Sequence, residues 1–281
     1  MKNRVIGIDV RQAAQRERLV LRLAVALTVL VGYTAVFLIY GPILWLGVMS
    51  LSEKPLTGIP GPFTLNWYQK LFGIPEWLEP LQTSLLIATV VSILCMFAAT
   101  AVGRALPRMG RTGAILMLVF LIVLFIPGVV LGIDLIIYYR IYLGIHTGLW
   151  SLILGHFAWA FPFALLSVTV VSARFDSRLL EAAADLGAGP VRRFLDIELP
   201  LLLPGVLSAG FFGFLLSLNE LPRSIYLRGG ITTLPLFEWS QTASHTTMVP
   251  IIYALSSIIT LGSFFLTIVA LRLLFRRRAD G

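Results

Sequence analysis

A chain of 281 residues that is 58% hydrophobic and 13% charged, with a mean hydropathy of +0.90, lies outside the range of ordinary soluble domains. Its formal charge of +8 does not announce a nucleic-acid partner, because basic residues in so apolar a chain first report orientation in a membrane. The apolar runs are continuous and lack period-two alternation, which excludes an outer-membrane barrel and leaves an all-α integral membrane protein.

A hydrocarbon core of about 30 Å takes roughly 20 apolar residues in helical form. Six stretches satisfy this, at about 21–49, 83–105, 113–137, 149–172, 201–222 and 250–274. They predict a single six-helix membrane domain over 21–275, between an N-terminal segment 1–20 and a basic tail 276–281. The first apolar run is too long for a signal-peptide core and has no clear small-residue cleavage site, so it reads as an uncleaved helix. Residues 51–82 follow, rich in Pro, Gly and aromatics, and should form short helices and turns, with Trp67, Tyr68 and Trp77 suited to an interfacial belt. The lone Cys95, in the second span, reads as a small buried hydrophobe.

In the third span Pro127-Gly128 is placed to kink the helix, and Asp134 shares a stripe with Pro127, Leu131 and Tyr138. The fourth span carries Trp159, His156 and Pro162. His156 reads as hydrogen-bonded packing, and the three histidines have no metal-ligand spacing, so no metal site is expected. On the fifth span Gly210, Gly213, Ser217, Glu220 and Ser224 recur at three and four residues and share one small, polar face. Residues 226–249 then lead to Pro250, which suits the first turn of the last helix.

The basic residues sort by side. Segments facing one side hold Lys2, Arg4, Arg11, Arg16, Arg18 and Arg22, then Arg104, Arg108 and Arg111, then Arg174, Arg178, Arg192 and Arg193, then Arg272, Arg276, Arg277 and Arg278. That is 17 of 22, against Lys54, Lys70, Arg140, Arg223 and Arg228 opposite, which places both termini in the cytoplasm.

Residues 173–200 form the longest polar interruption on that cytoplasmic side. Asp176 or Ser177 can cap a short helix through "RLLEAAADL", and Gly187 can supply the left-handed residue that ends it. Gly189-Pro190 can start a second helix that should stop near Pro200. Ala182, Ala183 and Ala184 then face outward, with Leu180, Phe194, Leu195 and Ile197 turned inward. By composition alone a solvated loop is the alternative.

The spacing of Glu181-Ala182-Ala183, Gly187, Phe194, Ile197, Leu199-Pro200 and Pro204-Gly205 resembles the coupling-loop motif of binding-protein-dependent ABC importer permeases. The resemblance implies a type I permease fold in which residues 177–198 dock into a separate ATPase subunit, with Glu181, Ala182, Ala183, Gly187, Phe194, Ile197, Leu199 and Pro200 as the coupling positions. It also implies the partners: two ATP-binding subunits that hold ATP and Mg, a second permease subunit, and a periplasmic or lipid-anchored solute-binding protein received by the outer loops 51–82 and 226–249. The chain has no GxxxxGK[ST] loop and no GxSxG nucleophile motif, so no catalytic residue or cofactor of its own is expected. A passive channel would have no use for a docking motif.

"FTLNWYQKLF", "IPGVVLGIDLIIYY" and "LSLNELPRSIYLRGGITTLPLFEWS" are further similar to the spermidine/putrescine class, with aminoethylphosphonate, ferric iron and thiamine permeases sharing several features. A small cationic solute would be attracted to carboxylates and aromatic faces at membrane depth, which makes Asp134, Tyr138, Trp159, Ser217, Asn219 and Glu220 the candidate pathway residues. Two structural readings compete with this. Glu220 can pair with Arg223 at i,i+3, and Asp134 with Arg140. Polyamine permeases tend to carry aspartates where this chain has Asn219-Glu220.

Overall fold

In the computed structural model, residues 2–244 and 246–279 are described, with side chains from 15 to 270 except His245, and at 272. The side chains of Lys2, Arg4, Arg11 and His245 and the tail 276–281 thus lie outside the described side chains. Regular structure among the described residues is helical; the single antiparallel bridge, Ser52 with Phe63, belongs to a loop.

Helix α1 runs from Lys2 to Ser50, so the N-terminal segment, from residue 2, is helical and runs directly into the first span. The sequence "QAAQRERLVLR" holds good helix formers and no proline, so nothing stops the helix before the membrane segment. The apolar window of α1 buries none of its residues. It packs along the last helix, with Tyr40 and Phe264 ring centroids 6.4 Å apart, and turns its other faces outward, as lipid-facing helices do.

Residues 51–77 fold into 3₁₀ turns at Pro55–Thr57 and Pro75–Trp77 and the short helix α2 (Asn66–Gly73), as composition predicted. Trp77 is not in an exposed belt. It is buried with Leu71, Leu234 and Ile252, and its indole N–H donates to the Leu71 carbonyl at 3.0 Å.

Among the described residues, five helical runs are long and apolar enough to cross a membrane. The run Pro75–Phe125 has 51 residues, about 77 Å at ~1.5 Å per residue, more than two bilayer cores, and it is broken between Arg104 and Gly110. It therefore contains two crossings, α3 (Leu78–Gly103) and the one that begins with α4 (Gly110–Leu121), and the crossings number six. The third crossing is itself interrupted: after a 3₁₀ turn Ile122–Phe125, Ile126 and Pro127 are extended, and α5 (Gly128–Ile137) restarts the helix. Pro127 lacks the N–H and blocks helical geometry before it, so the break falls where the sequence placed it.

Helix α6 (Leu149–Ser172) has the boundaries predicted and passes unbroken through Pro162. Next come α7 (Arg178–Asp185), α8 (Pro190–Arg192) and α9 (Leu199–Leu218), then α10 (Ser224–Leu227), α11 (Leu234–Ser244) and α12 (Val249–Ala279). The expected stop near Pro200 does not occur. Arg193–Glu198 adopt the wider π-helical turn, which relieves the clash of the Pro200 ring with the preceding turn and joins α8 to α9 without a break.

The core is the triangle of α3, α6 and α9. Small residues let these helices approach. A Cβ added at Gly205 would lie 3.0 Å from the Ser167 carbonyl oxygen on α6, and one at Gly213 would lie 3.0 Å from the Cα of Ser92 on α3. Such close contact is how helices associate in lipid, where the hydrophobic effect between them is absent.

Candidate functional site

The segment with the docking motif folds as a helix-turn-helix at the end of the bundle that carries Arg104, Arg108, Arg174, Arg178, Arg192 and Arg193. Asp176 makes the cap: its Oδ1 accepts the Arg178 backbone N–H at 3.0 Å, while the Ser177 side chain makes no cap bond. Gly187 has φ +81, and the backbone bonds Ala188 N–H to Ala183 carbonyl (2.9 Å) and Gly187 N–H to Ala184 carbonyl (2.9 Å) close a Schellman turn. Pro190 starts α8, and its missing N–H is one the first turn does not use.

Glu181, Ala182 and Ala184 are exposed and Ala183 is half-buried. Leu186 is 89% exposed and Val191 68%, so the tip of the element presents apolar side chains that nothing among the described residues covers. Phe194, Ile197 and Leu199 are half-buried at its root and Pro200 is exposed. Leu195, expected to face inward, is exposed, because the π-helical turn shifts the register of the face that meets the bundle.

At that root sits a residue the motif reading missed. Glu198 is 1% exposed, and its two oxygens receive Arg104 at 2.9 Å and Arg108 at 2.6 Å. The Arg104 guanidinium lies over the Phe194 ring at 4.5 Å and that of Arg108 near the Phe175 ring at 5.7 Å. The Ser172 hydroxyl at the end of α6 donates to the Arg104 carbonyl at 3.3 Å. In sequence Glu198 was one charge in a polar stretch and the arginines were orientation markers; only the fold brings them together across 90 residues.

Toward the other end of the bundle lies a second polar cluster. Arg223 and Glu220 are 2% and 4% exposed and pair at 2.7 Å through Nη1 and Oε1, with the Arg223 backbone N–H donating to the same oxygen at 3.0 Å. Trp159 lies face-on to the guanidinium at 4.4 Å, an interaction worth about 2 kcal/mol when desolvated. The His156 ring joins Ser217 through Nδ1 and Ser224 through Nε2, both at 2.9 Å. Since the Ser224 hydroxyl donates its proton to the Glu220 carbonyl, Nε2–H is the donor to Ser224 and Nδ1 accepts from Ser217.

Of the candidate pathway residues, the fold therefore sets Trp159 and Glu220 against Arg223, and Ser217 against His156. The carboxylate and aromatic face suited to an ammonium hold a guanidinium from the chain itself. The small polar face of the fifth span is packed against α3 and α6. Asn219 points elsewhere, donating to the Leu215 carbonyl at 3.0 Å beside a cleft lined by Thr260, Ser263 and Thr267 of α12.

Asp134 on α5 and Tyr138 in the π-helical turn Tyr138–Tyr142 that follows it are exposed. The opposite side of that helix is held by Gly128 and Gly132, where an added Cβ would lie 3.0 Å from Pro222 and 2.9 Å from Tyr226. Among the described residues there are three ion pairs, and Asp134 with Arg140 is not one of them. On α11, Glu238 accepts the Ser256 hydroxyl at 3.2 Å; burial pushes its carboxyl up to about 7, and the hydrogen bond offsets part of that rise.

Comparison with known proteins places this geometry in a family. Residues 96–279 match the binding-protein-dependent transport system inner membrane component family. Over 211 residues, 74% of this chain and 80% of the relative, the sequence is 32% identical to the spermidine/putrescine transport system permease protein PotC of Haemophilus influenzae. Over 245 residues, 86% of this chain and 91% of the relative, it is 30% identical to the protein of that name from Escherichia coli K12. A putative 2-aminoethylphosphonate transport system permease protein, PhnV of Salmonella paratyphi A, is 30% identical over 69% of this chain and 74% of its own length. Among solved structures, the inward-facing MetNI methionine ABC transporter superposes with a TM-score of 0.57 at 18% identity, covering 71% of this chain and 94% of that one, a likeness of fold. The chain belongs to the binding-protein-dependent transport system inner membrane components, the permease subunits of ABC importers.

Proposed function

We propose that the chain is a permease subunit of a polyamine importer in a bacterial inner membrane, with both termini cytoplasmic. The observation that carries the coupling half of this reading is the exposed helix-turn-helix 176–198, rooted without a break in α9. Its apolar tip suits the cleft of an ATPase, and its rigid root is suited to turn closure of that ATPase into movement of a core helix. Two ATP-binding subunits would hold the ATP and Mg, so this chain supplies no catalytic residue. A second, homologous permease would complete the pathway, and loops 51–82 and 226–249 would receive a periplasmic or lipid-anchored solute-binding protein.

The similarity to spermidine/putrescine permeases over three quarters of the chain or more supports a small cationic solute. Within the chain, Asp134 with Tyr138 offers an unpaired carboxylate beside an aromatic ring on an exposed face of a membrane helix, a placement that is costly in lipid and fits a pathway shared with a second permease. Trp159 and Glu220 would shape that pathway from behind through Arg223, which backs α5 at Gly128 and Gly132, with Ser217 held beside them by His156. A second reading, 2-aminoethylphosphonate or a similar zwitterion, is favoured by one feature: Asn219 is uncharged and Glu220 is neutralised by Arg223, so this region carries no net charge for a polycation.

Energy-dependent uptake of labelled putrescine and spermidine, in cells lacking the gene and complemented with wild type, Asp134→Asn or Glu220→Gln, tests the proposal. Polyamine uptake restored by wild type, reduced at least tenfold by Asp134→Asn and indifferent to unlabelled 2-aminoethylphosphonate is the expected result. Uptake of labelled 2-aminoethylphosphonate instead would select the second reading.

A further inference from the structure

The root of the helix-turn-helix is held from both sides by one pair of arginines. Phe175 precedes α7 and meets Arg108; Phe194 follows α8 and meets Arg104; Glu198, two residues before Pro200, grips both guanidinium groups. Arg104 terminates α3, and Arg108 lies in the 3₁₀ turn Leu106–Met109 that leads into α4. Without this grip the element would keep its two chain ends, Ala173 and Leu199, and the half-buried apolar side chains of Phe194 and Ile197 as its ties to the bundle. With it, the element is fastened to the turn between the second and third crossings as well.

We infer that Glu198 is a positioning residue that carries movement of the docking element into α3 and α4, an inference that rests on the coupling role proposed above. The chemistry suits transmission. Two charge-assisted contacts from a fixed carboxylate, with an aromatic ring against each guanidinium, resist both displacement and rotation, whereas apolar contacts alone permit sliding. Glu198 is fully enclosed, so water does not compete for its oxygens. Because Glu198 also sits in the π-helical turn that runs into α9, the clamp makes α9, the docking element and the α3–α4 turn one mechanical unit. The Ser172 bond to the Arg104 carbonyl adds the end of α6, so all three core helices meet there.

Substitution leaves the fold testable. The Arg104 and Arg108 side chains are 33% and 40% exposed, so water can solvate them once Glu198→Gln removes the charge, and glutamine keeps the shape and one acceptor. The experiment uses the assembled transporter, purified through a tag on this chain and reconstituted with its solute-binding protein in the presence of putrescine, spermidine and 2-aminoethylphosphonate. Glu198→Gln is expected to retain the ATP-binding subunits, thermal stability and basal ATP hydrolysis, and to lose at least tenfold of the hydrolysis stimulated by the loaded binding protein.

Arg104→Gln with Arg108→Gln should reproduce that loss, and combining all three changes should add nothing, as for groups that act as one unit. These arginine changes also decide the matter if Glu198→Gln assembles poorly. Stimulated hydrolysis unchanged in both sets overturns the inference, as does a loss of assembly, basal and stimulated hydrolysis in equal proportion, which would make the clamp structural only. Gly187→Val serves as the independent control: if it too leaves stimulation intact, the docking role of the element itself is refuted.

Discussion

Gly187 shows how a single backbone angle sets the geometry of the docking element. Its φ of +81 lies in the left-handed region, which costs an L-residue about 1–2 kcal/mol, most for a β-branched one. Gly187→Val should therefore splay α7 from α8 and abolish ATP-driven uptake while leaving the amount of protein in the membrane unchanged; fractionation alongside transport would check both. That position was legible because a glycine after a capped helix has a local cause. Glu198 was not, since its partners lie in a different loop and nothing local distinguishes it from Asp196. Glu220 was legible only as an alternative: the i,i+3 spacing allowed the pair with Arg223, but burial of both groups decided it.

Glu238 offers a test through pH. Its folded-state value of about 7 is above the ordinary 4.5, so between those values the folded protein keeps a proton that the unfolded chain has released. Stability contributed at this residue accordingly falls as pH rises through that window and levels off above it. Thermal unfolding in detergent from about pH 5 to about pH 8 should show the wild type losing stability relative to Glu238→Gln, with most of the change complete by neutral pH. Parallel profiles would show that Glu238 titrates as an exposed carboxylate.

Among the elements, the span boundaries were largely readable, because a stretch of apolar residues in lipid has few alternatives to helix. The boundaries of α6 coincide with those predicted, and Pro127 breaks the third span where expected. The fifth span was misread at its start. Proline rules forecast a stop at Pro200, but a π-helical turn is a property of how six residues pack, with no sequence signature of its own. The same limit applies to the polar face of that helix: its glycines and serines have the spacing of a passage and the function of a packing seam. Gly205 tests this seam. Its Cβ position faces backbone atoms of Ser167 and Val168 at 3.0 and 3.1 Å, which no side-chain rotation can relieve. Gly205→Leu should cost about 1–3 kcal/mol through separation of α6 and α9, read as a lowered unfolding temperature.

The whole molecule is a triangle of α3, α6 and α9 with the helix-turn-helix at one end, loops 51–82 and 226–249 at the other, and an α1 that turns most of its apolar surface outward. Family membership accounts for the plan, while the clusters around Arg223 and Glu198 are visible only in the fold. The proposed pathway was the least legible part, since half of a passage shared with the second permease proposed above would have no enclosed shape in this chain alone.

The most direct measurement is thiol cross-linking at Ala182→Cys, on the exposed side of α7. Cys95, the one native cysteine, is buried and does not interfere. The introduced thiol should react with a membrane-impermeant maleimide only in inside-out vesicles, and a short bismaleimide should join it to an ATP-binding subunit with a yield that changes when ATP and Mg are added. Labelling from the outer face, or a thiol that never reaches an ATP-binding subunit in the assembled transporter, would contradict the coupling account.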